Sequence, residues 1–473
     1  MMHSRNNHNY QKPTITKHSI GLMNRFWGAE HSLPYDNISG VPVRKLVEQF
    51  GSPLWVASEA GLRDKYKDLY RAFSTRYPKF VVAYSYKTNF LSGICALFQQ
   101  EGAWAEVVSG FEYDIAMKLG VPGDQIIFNG PYKTRAELER AIKQNSKINV
   151  DSYQEIYTLE ELAKELGKVV EVGIRVNMQV YETNWDRFGF NLESGQAIDA
   201  CRQIASSKNL KLVGLHVHIG TYILDANIYR ALAEKLIGLC STIKDHSPVK
   251  LQYLDVGGGY ASKNTLHYQW VPGKYACPTF DQYAEAICVP LMAELGKNAD
   301  IPLLIIEPGR ALVDEGMHLL TTVVSRKTLP NGGKGIVIDA GINLLPTCYW
   351  YRFDIHAAER ATSSSEDGMN EVVNIYGPLC MNIDCIQSDA YLPPVRTGDI
   401  LVVRNVGAYN FSQSMQFIRP RPAVVMITKG DVEYLRLPET TEYICQLDKI
   451  PAQLTKRSGH GGMEKIPNTT RTG

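Results

Sequence analysis

From Phe80 onward the chain alternates short apolar runs with stretches whose apolar residues recur at helical spacing. In order, the runs are FVVAYSYK (80–87), WAEVVS (104–109), IIFNG (126–130), INVDS (148–152), VEVGIRVN (170–177), LVGLHVHIG (212–220), YLDVGGG (253–259) and LLIIEPGR (303–310), eight in all. Runs of this length, rich in β-branched residues, predict buried strands. Between them, TRAELERAIKQ (134–144) and SYQEIYTLEELAKELG (152–167) predict helices, and the second ends on the glycine that a helix C-terminus favours. Eight strand–helix units over about 230 residues match the repeat of a (β/α)8 barrel.

After Ala311 the rhythm changes. HLLTTVVSRKT, KGIVIDAG, EVVNIYGP, DILVVRNVGAY, PAVVMITKG and VEYLRLP follow one another with little helical pattern between them, which predicts a mainly β domain. An earlier strand-like stretch, SPLWVAS (52–58), precedes the amphipathic EAGLRDKYKDLYRAF, and pattern alone leaves open which unit it joins. The expected organisation is a disordered N-terminus (1–18), an N-terminal segment (19–58), a barrel (59–317), a β domain (318–454) and a flexible, Gly-rich tail (455–473).

Polar and special residues gather at the C-terminal ends of the eight runs: Lys87, Glu106, Asn129, Asp151, Arg175, His218, the glycines at 257–259, and Glu307 with Arg310. On a barrel that rim is where chemistry is built.

Composition narrows the partners. The 473 residues are 44% hydrophobic, enough for a large core, and 50 Lys+Arg against 49 Asp+Glu leave a formal charge of +1. Such a balance makes no field that would gather nucleic acid or an anionic membrane surface, so small molecules and copies of the chain itself are the expected partners. The nine cysteines are scattered and lack a Cys-x-x-Cys pair, which fits neither a disulfide framework nor a zinc knuckle and points to a reducing cytoplasm. The N-terminus lacks an apolar signal core, and no stretch reaches the roughly 18 apolar residues of a membrane helix.

A lysine at a strand end is most often simply solvated. Inside a barrel mouth, partial desolvation is expected to lower its pKa and make it an amine able to condense with an aldehyde cofactor such as pyridoxal 5'-phosphate (PLP). That cofactor also needs a phosphate cradle, a partner for its ring nitrogen and a group over its ring face. DVGGGY (255–260) follows a strand directly, so its glycines either make a tight turn or bring backbone N–H groups close to an anion. HVHIGT places His216 and His218 on one face of a strand; no third ligand of suitable spacing accompanies them, so a metal is not expected, and a core histidine or a ring stacked on a cofactor remains. EPGR (307–310) offers Glu307 either as the partner that keeps a pyridine nitrogen protonated or as half of a rim ion pair with Arg310.

In order, YSYKTN, HVHIGT, DVGGGY, EPGR, GPLCMNID and GAYN resemble the fold-type III PLP-dependent decarboxylases of the diaminopimelate, ornithine and arginine group, and are most similar to the diaminopimelate decarboxylase branch. The resemblance runs from about residue 40 to 445. It implies an alanine racemase-like fold in which the early strand joins the β domain, and an obligate head-to-tail homodimer with active sites at the interface. It implies that Lys87 carries the cofactor, with Glu106 among the residues around it, that His218 stacks on the ring, and that Glu307 pairs with the ring nitrogen. Thr221, where the family usually has Ser, would bind phosphate with the backbone of Gly257, Gly258, Gly259, Gly309 and Arg310, and Tyr409 would reach the phosphate from the β domain. Cys380 is the position that a partner subunit contributes, able to return a proton to the carbanion.

Two features depart from the diaminopimelate branch. Met381 stands where an acidic residue usually follows the cysteine, and Leu345 in NLLPTCYWYRF stands where an arginine is expected. Burying an unpaired charge costs several kcal/mol, so a substrate with a zwitterionic far end should bind poorly. GPLCMNIDCI is similar to the variant in decarboxylases of secondary metabolism that act on amino-acid conjugates; Arg310, Arg352, Met381 and Asp384 are the candidate substrate contacts. Three alternatives stay open: a true diaminopimelate decarboxylase; an amino-acid racemase, which would place an arginine where Glu307 stands; and a cofactor-free regulatory relative, against which Lys87, Glu307, Cys380 and Tyr409 all speak.

Overall fold

The protein is described by a computed structural model covering residues 34–180, 185–246, 249–297, 300–359 and 370–454; the expectations for 1–18 and 455–473 lie outside the described residues. Eight strands pair in parallel and close on themselves: β1 (Phe80–Ser85), β2 (Trp104–Val107), β3 (Ile126–Phe128), β4 (Lys147–Val150), β5 (Val170–Asn177), β6 (Leu210–Val217), β7 (Tyr253–Asp255) and β8 (Leu303–Ile306). Closure is the pairing of β8 with β1, Ile305 opposite Val81. Helices follow the strands, and several are started by a side-chain cap in the sequence. Thr134 and Glu137 form a reciprocal capping box on the helix Arg135–Lys143. Ser152 caps Tyr153–Leu166, which Gly167 ends at φ +61°.

Because side chains alternate along a strand, one parity faces the barrel axis. The register places Ser85 beside Glu106, Asn149 beside Gly173, Gly214 beside both Gly173 and Tyr253, and His216 beside Asp255. A bulge between Leu212 and Gly214 adjusts β6 to this register. The middle of the barrel is apolar, with Ala83, Ile127, Val213, Tyr253 and Ile305 packed together. Tyr253 crosses the space that two missing side chains leave. A Cβ at Gly214 would lie 2.0 Å from its ring, and one at Gly173 2.2 Å from its hydroxyl.

The other face of the barrel strands packs on the helices. Beyond Asp314 the chain enters a mainly β domain, in which Leu54–Ser58 lies between Met317–Thr328, antiparallel, and Val424–Thr428, parallel. SPLWVAS thus belongs to the β domain. The two units are joined by polar bonds as well as by apolar contact. Asp314, wholly buried, accepts from Ser262 Oγ (2.5 Å), Asn264 Nδ2 (2.9 Å) and the backbone N–H of Ala408 (3.1 Å). Asn89 donates to the carbonyl of Gly407 (2.9 Å), and Tyr409 N–H donates to that of Thr88 (2.9 Å). The loop after Lys87 is thus fastened to the GAYN loop of the β domain.

This packing sets the cost of two substitutions. Gly214→Ala forces a methyl into the Tyr253 ring and should cost about 1–3 kcal/mol, read as a lowered midpoint of thermal unfolding. His318, on the strand Met317–Thr328, is buried with Nδ1 unpartnered, and burial, then the Arg404 charge, pushes its pKa down to about 3. A base whose folded pKa is depressed gives stability that is present above its unfolded pKa and lost as pH falls. Between pH ~6.5 and ~5 the wild type should therefore lose about 2 kcal/mol that His318→Gln retains, measured by denaturant unfolding at each pH.

Candidate active site

Lys87 leaves β1 in a single 3-10 turn, Tyr86–Thr88, and turns its amine into the barrel mouth. Nζ donates to Glu106 Oε2 at 2.5 Å, and the same oxygen accepts from Ser85 Oγ at 2.5 Å. Glu106 is 1% exposed, whereas the Lys87 side chain is 37% exposed, so the acid is fixed in the wall and the amine faces the opening. The expected fall in the lysine pKa is overturned. Burial pulls it down, but the carboxylates of Glu106 and Glu307 outweigh burial and hold the ammonium above its ordinary range.

Glu307 follows β8 on the inner face and is buried. Its Oε1 accepts from Asn129 Nδ2 (2.5 Å) and its Oε2 faces His216 Nε2 (3.2 Å). Burial alone would raise its pKa; His216, Lys87 and Asp255 outweigh burial and keep it well below the usual carboxylate range. Asp255 takes the opposite course. Burial, then the Glu307 charge, pushes its carboxyl well up, although Oδ1 accepts from the Gly257 N–H at 2.9 Å. Donor atoms of His216, Asp255 and Glu307 converge within 4.8 Å of one another, so the third ligand that sequence spacing did not offer comes from neighbouring strands. Both Glu307 oxygens are already engaged within the protein, and Arg310 points elsewhere, so the rim ion pair of Glu307 with Arg310 does not form.

His218 stands between the acids and the glycine run. Its Nδ1 accepts from the Gly258 N–H at 3.1 Å, which leaves Nε2 as the protonated nitrogen of a neutral ring. Burial, with the Arg175 and Lys87 charges, pushes its pKa well below the usual histidine value. Trp185 closes on this ring edge to face, centroids 5.3 Å apart. Backbone is so close at the glycines that side chains are barred. A Cβ at Gly257 would meet the Val217 carbonyl at 2.6 Å, and one at Gly258 the Glu307 carbonyl at 2.3 Å. A Cβ at Gly309 would meet Thr88 Oγ1 at 1.9 Å.

Arg310 is enclosed by three tyrosine rings, Tyr222, Tyr351 and Tyr409, at 5.1, 5.2 and 5.0 Å. Nη2 donates weakly to Thr221 Oγ1 (3.4 Å), and Nη1 is buried without a hydrogen-bond partner. A guanidinium with a free donor beside an exposed threonine and a glycine run is chemically suited to a phosphate. With a charged carboxylate placed deep in the barrel, a neutral imidazole between and a lysine facing the mouth, the donor set fits PLP.

The remaining candidates lie on the β domain. Cys380 is exposed and Met381 half-buried, on the loop between the strands Glu371–Tyr376 and Cys385–Leu392. Arg352 is exposed on Tyr351–Arg352, a short strand paired with Thr265–Leu266 of the barrel. Asp384 requires a correction. It is buried, its Oδ1 accepts from Ile342 N–H (2.8 Å) and its Oδ2 from Leu379 N–H (2.7 Å), so it fastens this loop and is not free to meet a substrate. Sequence reasoning passed over Ser85, Asn149, Tyr253, Asp255 and Trp185. For the first four, counting in steps of two from Lys87 and its neighbours gives the inward parity that would have exposed them. Trp185 carries no such signal.

Residues 63–314 match the family described as "Pyridoxal-dependent decarboxylase, pyridoxal binding domain". The diaminopimelate decarboxylase of Bacillus subtilis is 32% identical over 425 residues, 87% of this chain and 94% of that protein. That of Methanocaldococcus jannaschii is 32% identical over 434 residues, 88% of this chain and 95% of the relative. A crystal structure of diaminopimelate decarboxylase from M. jannaschii superposes with a TM-score of 0.81 at 31% identity, covering 91% of this chain and 100% of that one. A Helicobacter pylori diaminopimelate decarboxylase complexed with L-lysine gives 0.74 at 26% identity, covering 85% and 98%. A barrel that directs a lysine, two glutamates and a neutral histidine into one mouth, shared over nine-tenths of its length with such enzymes, identifies this chain as a member of the pyridoxal-dependent decarboxylase family: a PLP-dependent carboxy-lyase that acts on an amino acid.

Proposed function

We propose that the enzyme decarboxylates an amino acid or amino-acid conjugate whose far end does not present a second free amino-acid centre. One observation carries this reading: Leu345 is fully buried and apolar and Met381 is half-buried, at the two positions where the resemblance to the diaminopimelate branch implies an arginine and an acid. Nothing at either position can pair with a distal ammonium or carboxylate. Asp384, the candidate replacement for the acid, is held by backbone N–H groups. Arg352, exposed beside Tyr351, offers a cation to the outer part of a conjugate, and Met381 offers apolar surface.

When bound, PLP supplies an electron sink for the pair left behind as CO2 departs. Lys87 carries the cofactor, and Glu106 orders its amine. Glu307, kept charged in a buried position, holds a proton at the ring nitrogen, and His218 covers a ring face in its neutral form. Thr221, the backbone of Gly257, Gly258, Gly259 and Gly309, and Arg310 and Tyr409 take the phosphate. Cys380, exposed on its loop, acts in the mouth of a second copy in a head-to-tail homodimer and returns a proton to Cα. Nine free thiols suit a cytoplasmic setting, and among the described residues no helix is long and apolar enough to cross a membrane.

A second reading, diaminopimelate itself as substrate, is favoured by the names of relatives 29–32% identical and by the L-lysine bound to the H. pylori enzyme. CO2 release and product mass spectrometry over meso-diaminopimelate, simple amino acids of both configurations and their conjugates separate the two. The expected result is a kcat/KM for meso-diaminopimelate at least about 100-fold below that of the best substrate, the size of an unpaired buried charge. Diaminopimelate as the best substrate of the panel would overturn the proposal.

Lys87→Ala should abolish turnover of every substrate. Cys380→Ala should slow it by roughly 10²–10⁴-fold or divert it to side products, as loss of a positioned proton donor does. Undiminished activity in the lysine variant would remove the site assignment.

A further inference from the structure

Asn129 stands at the C-terminal end of β3, 2% exposed, between the two glutamates. Its Nδ2 lies 3.1 Å from Glu106 Oε1 and 2.5 Å from Glu307 Oε1, so the two hydrogens of one amide serve two acids. This geometry holds only while the amide nitrogen faces the acids. Turned over, Asn129 would aim its carbonyl oxygen at two buried carboxylates.

The amide is kept in that sense from below. Asn129 Oδ1 accepts from Asn149 Nδ2 (2.9 Å), and Asn149 Oδ1 accepts from the Tyr253 hydroxyl (2.7 Å). Burial, then the charges of Asp255 and Glu307, pushes the Tyr253 hydroxyl well above its ordinary pKa, so it keeps its proton to give. Donation therefore runs one way, from Tyr253 through Asn149 to Asn129 and into both acids. All three side chains are buried, so each amide and hydroxyl depends on its protein partners here.

We propose that Asn129 is a positioning residue that holds Glu106 on the lysine amine and Glu307 at the ring nitrogen, and that Tyr253, acting through Asn149, sets which way its amide points. The inference rests on the assignment of Lys87 and Glu307 to the cofactor. Its consequence is electrostatic. Removing the shared donor leaves two like charges less satisfied, and the proton held on the bound cofactor and its lysine should persist to higher pH. The other titratable groups facing this layer are Lys87 after β1, Glu112 on the helix Gly110–Lys118, Arg175 of β5, His216 and His218 on and after β6, Asp255 of β7, and Tyr409 from the β domain. Tyr253→Phe leaves every one of these in place.

The test is the absorption spectrum of bound PLP in the holoenzyme from pH ~6 to ~10, which requires no substrate, for wild type, Asn129→Asp, Tyr253→Phe and Lys87→Ala. Asn129→Asp replaces the donor with another acceptor, and its spectrum at each pH should match that of wild type about one unit lower. Tyr253→Phe should move in the same direction by a few tenths of a unit. A purely structural role would lower the thermal midpoint of both variants yet leave their spectra superimposable on wild type at every pH, and that result overturns the proposal. A shift in Asn129→Asp with none in Tyr253→Phe overturns the relay. If Asn129→Asp does not retain PLP, Tyr253→Phe decides alone. Lys87→Ala separates the two levels: a wild-type band in that variant refutes the cofactor assignment, whereas its loss together with unshifted Asn129 and Tyr253 variants refutes only this inference.

Discussion

Two glutamates and a lysine share one layer of a closed barrel, and an enclosed charge has to be answered by protein groups because water is largely shut out. Much else in the barrel follows from this. Glu106 is met by Lys87, Ser85 and Asn129, and Glu307 by Asn129 and His216. The groups come from several different strands, so no single strand could make the site, and closure of the sheet is what brings them together. The layer beneath serves the same end. Gly173 and Gly214 are empty so that Tyr253 can cross the barrel and reach Asn149. A site made of charges thus rests on a floor of small and aromatic residues.

The β domain acts on this layer from outside. Its GAYN loop is anchored by Asp314 at Ala408, by Asn89 at Gly407 and by Thr88 at Tyr409. Asn410 in turn accepts from Thr347 N–H and Oγ1, so the segment that carries Leu345 and Tyr351 is held by the same loop. Tyr409 sits at φ +62° and Tyr222 at φ +58°. A left-handed backbone costs a non-glycine residue of order 1 kcal/mol or more. Two of the three rings around Arg310 are therefore held in an uncomfortable conformation, one from each domain. The surrounding bonds impose that strain, and its effect is to close an aromatic box on a guanidinium whose Nη1 has no protein partner.

Periodicity made the barrel and its functional rim legible in the sequence. Eight apolar runs end in polar residues, and a run that ends on Lys87 or Glu307 has to deliver that charge to a place where it is answered, which on a barrel is the mouth. Besides several two-residue strands, two longer ones escaped notice, Asp354–Ala357 and Cys385–Leu392. The second reads CIQSDAYL and pairs with Glu371–Tyr376 through two register shifts, so it never shows clean alternation. The sign of the Lys87 shift was also out of reach. It depends on Glu106 of the next strand lying at hydrogen-bond distance, and neither the distance nor the pairing of Ser85 with Glu106 is written in either segment alone. Asp384 was misread for a related reason: its partners are backbone N–H groups at Ile342 and Leu379, which composition does not register.

The division of labour between the two units bears on how such a site changes substrate. Every group proposed to meet the ring or its nitrogen lies on the barrel, in a layer where each partner is engaged by another and a single change leaves a buried charge unsatisfied. Leu345 and Met381, on which the proposed substrate rests, are both on the β domain and take part in none of those bonds. Replacing a charge with an apolar residue there removes a desolvation penalty and creates no orphan. A change of substrate at the mouth therefore costs the fold little, while the barrel layer is constrained on every side, and differences in specificity are expected to accumulate on the β-domain face of the site.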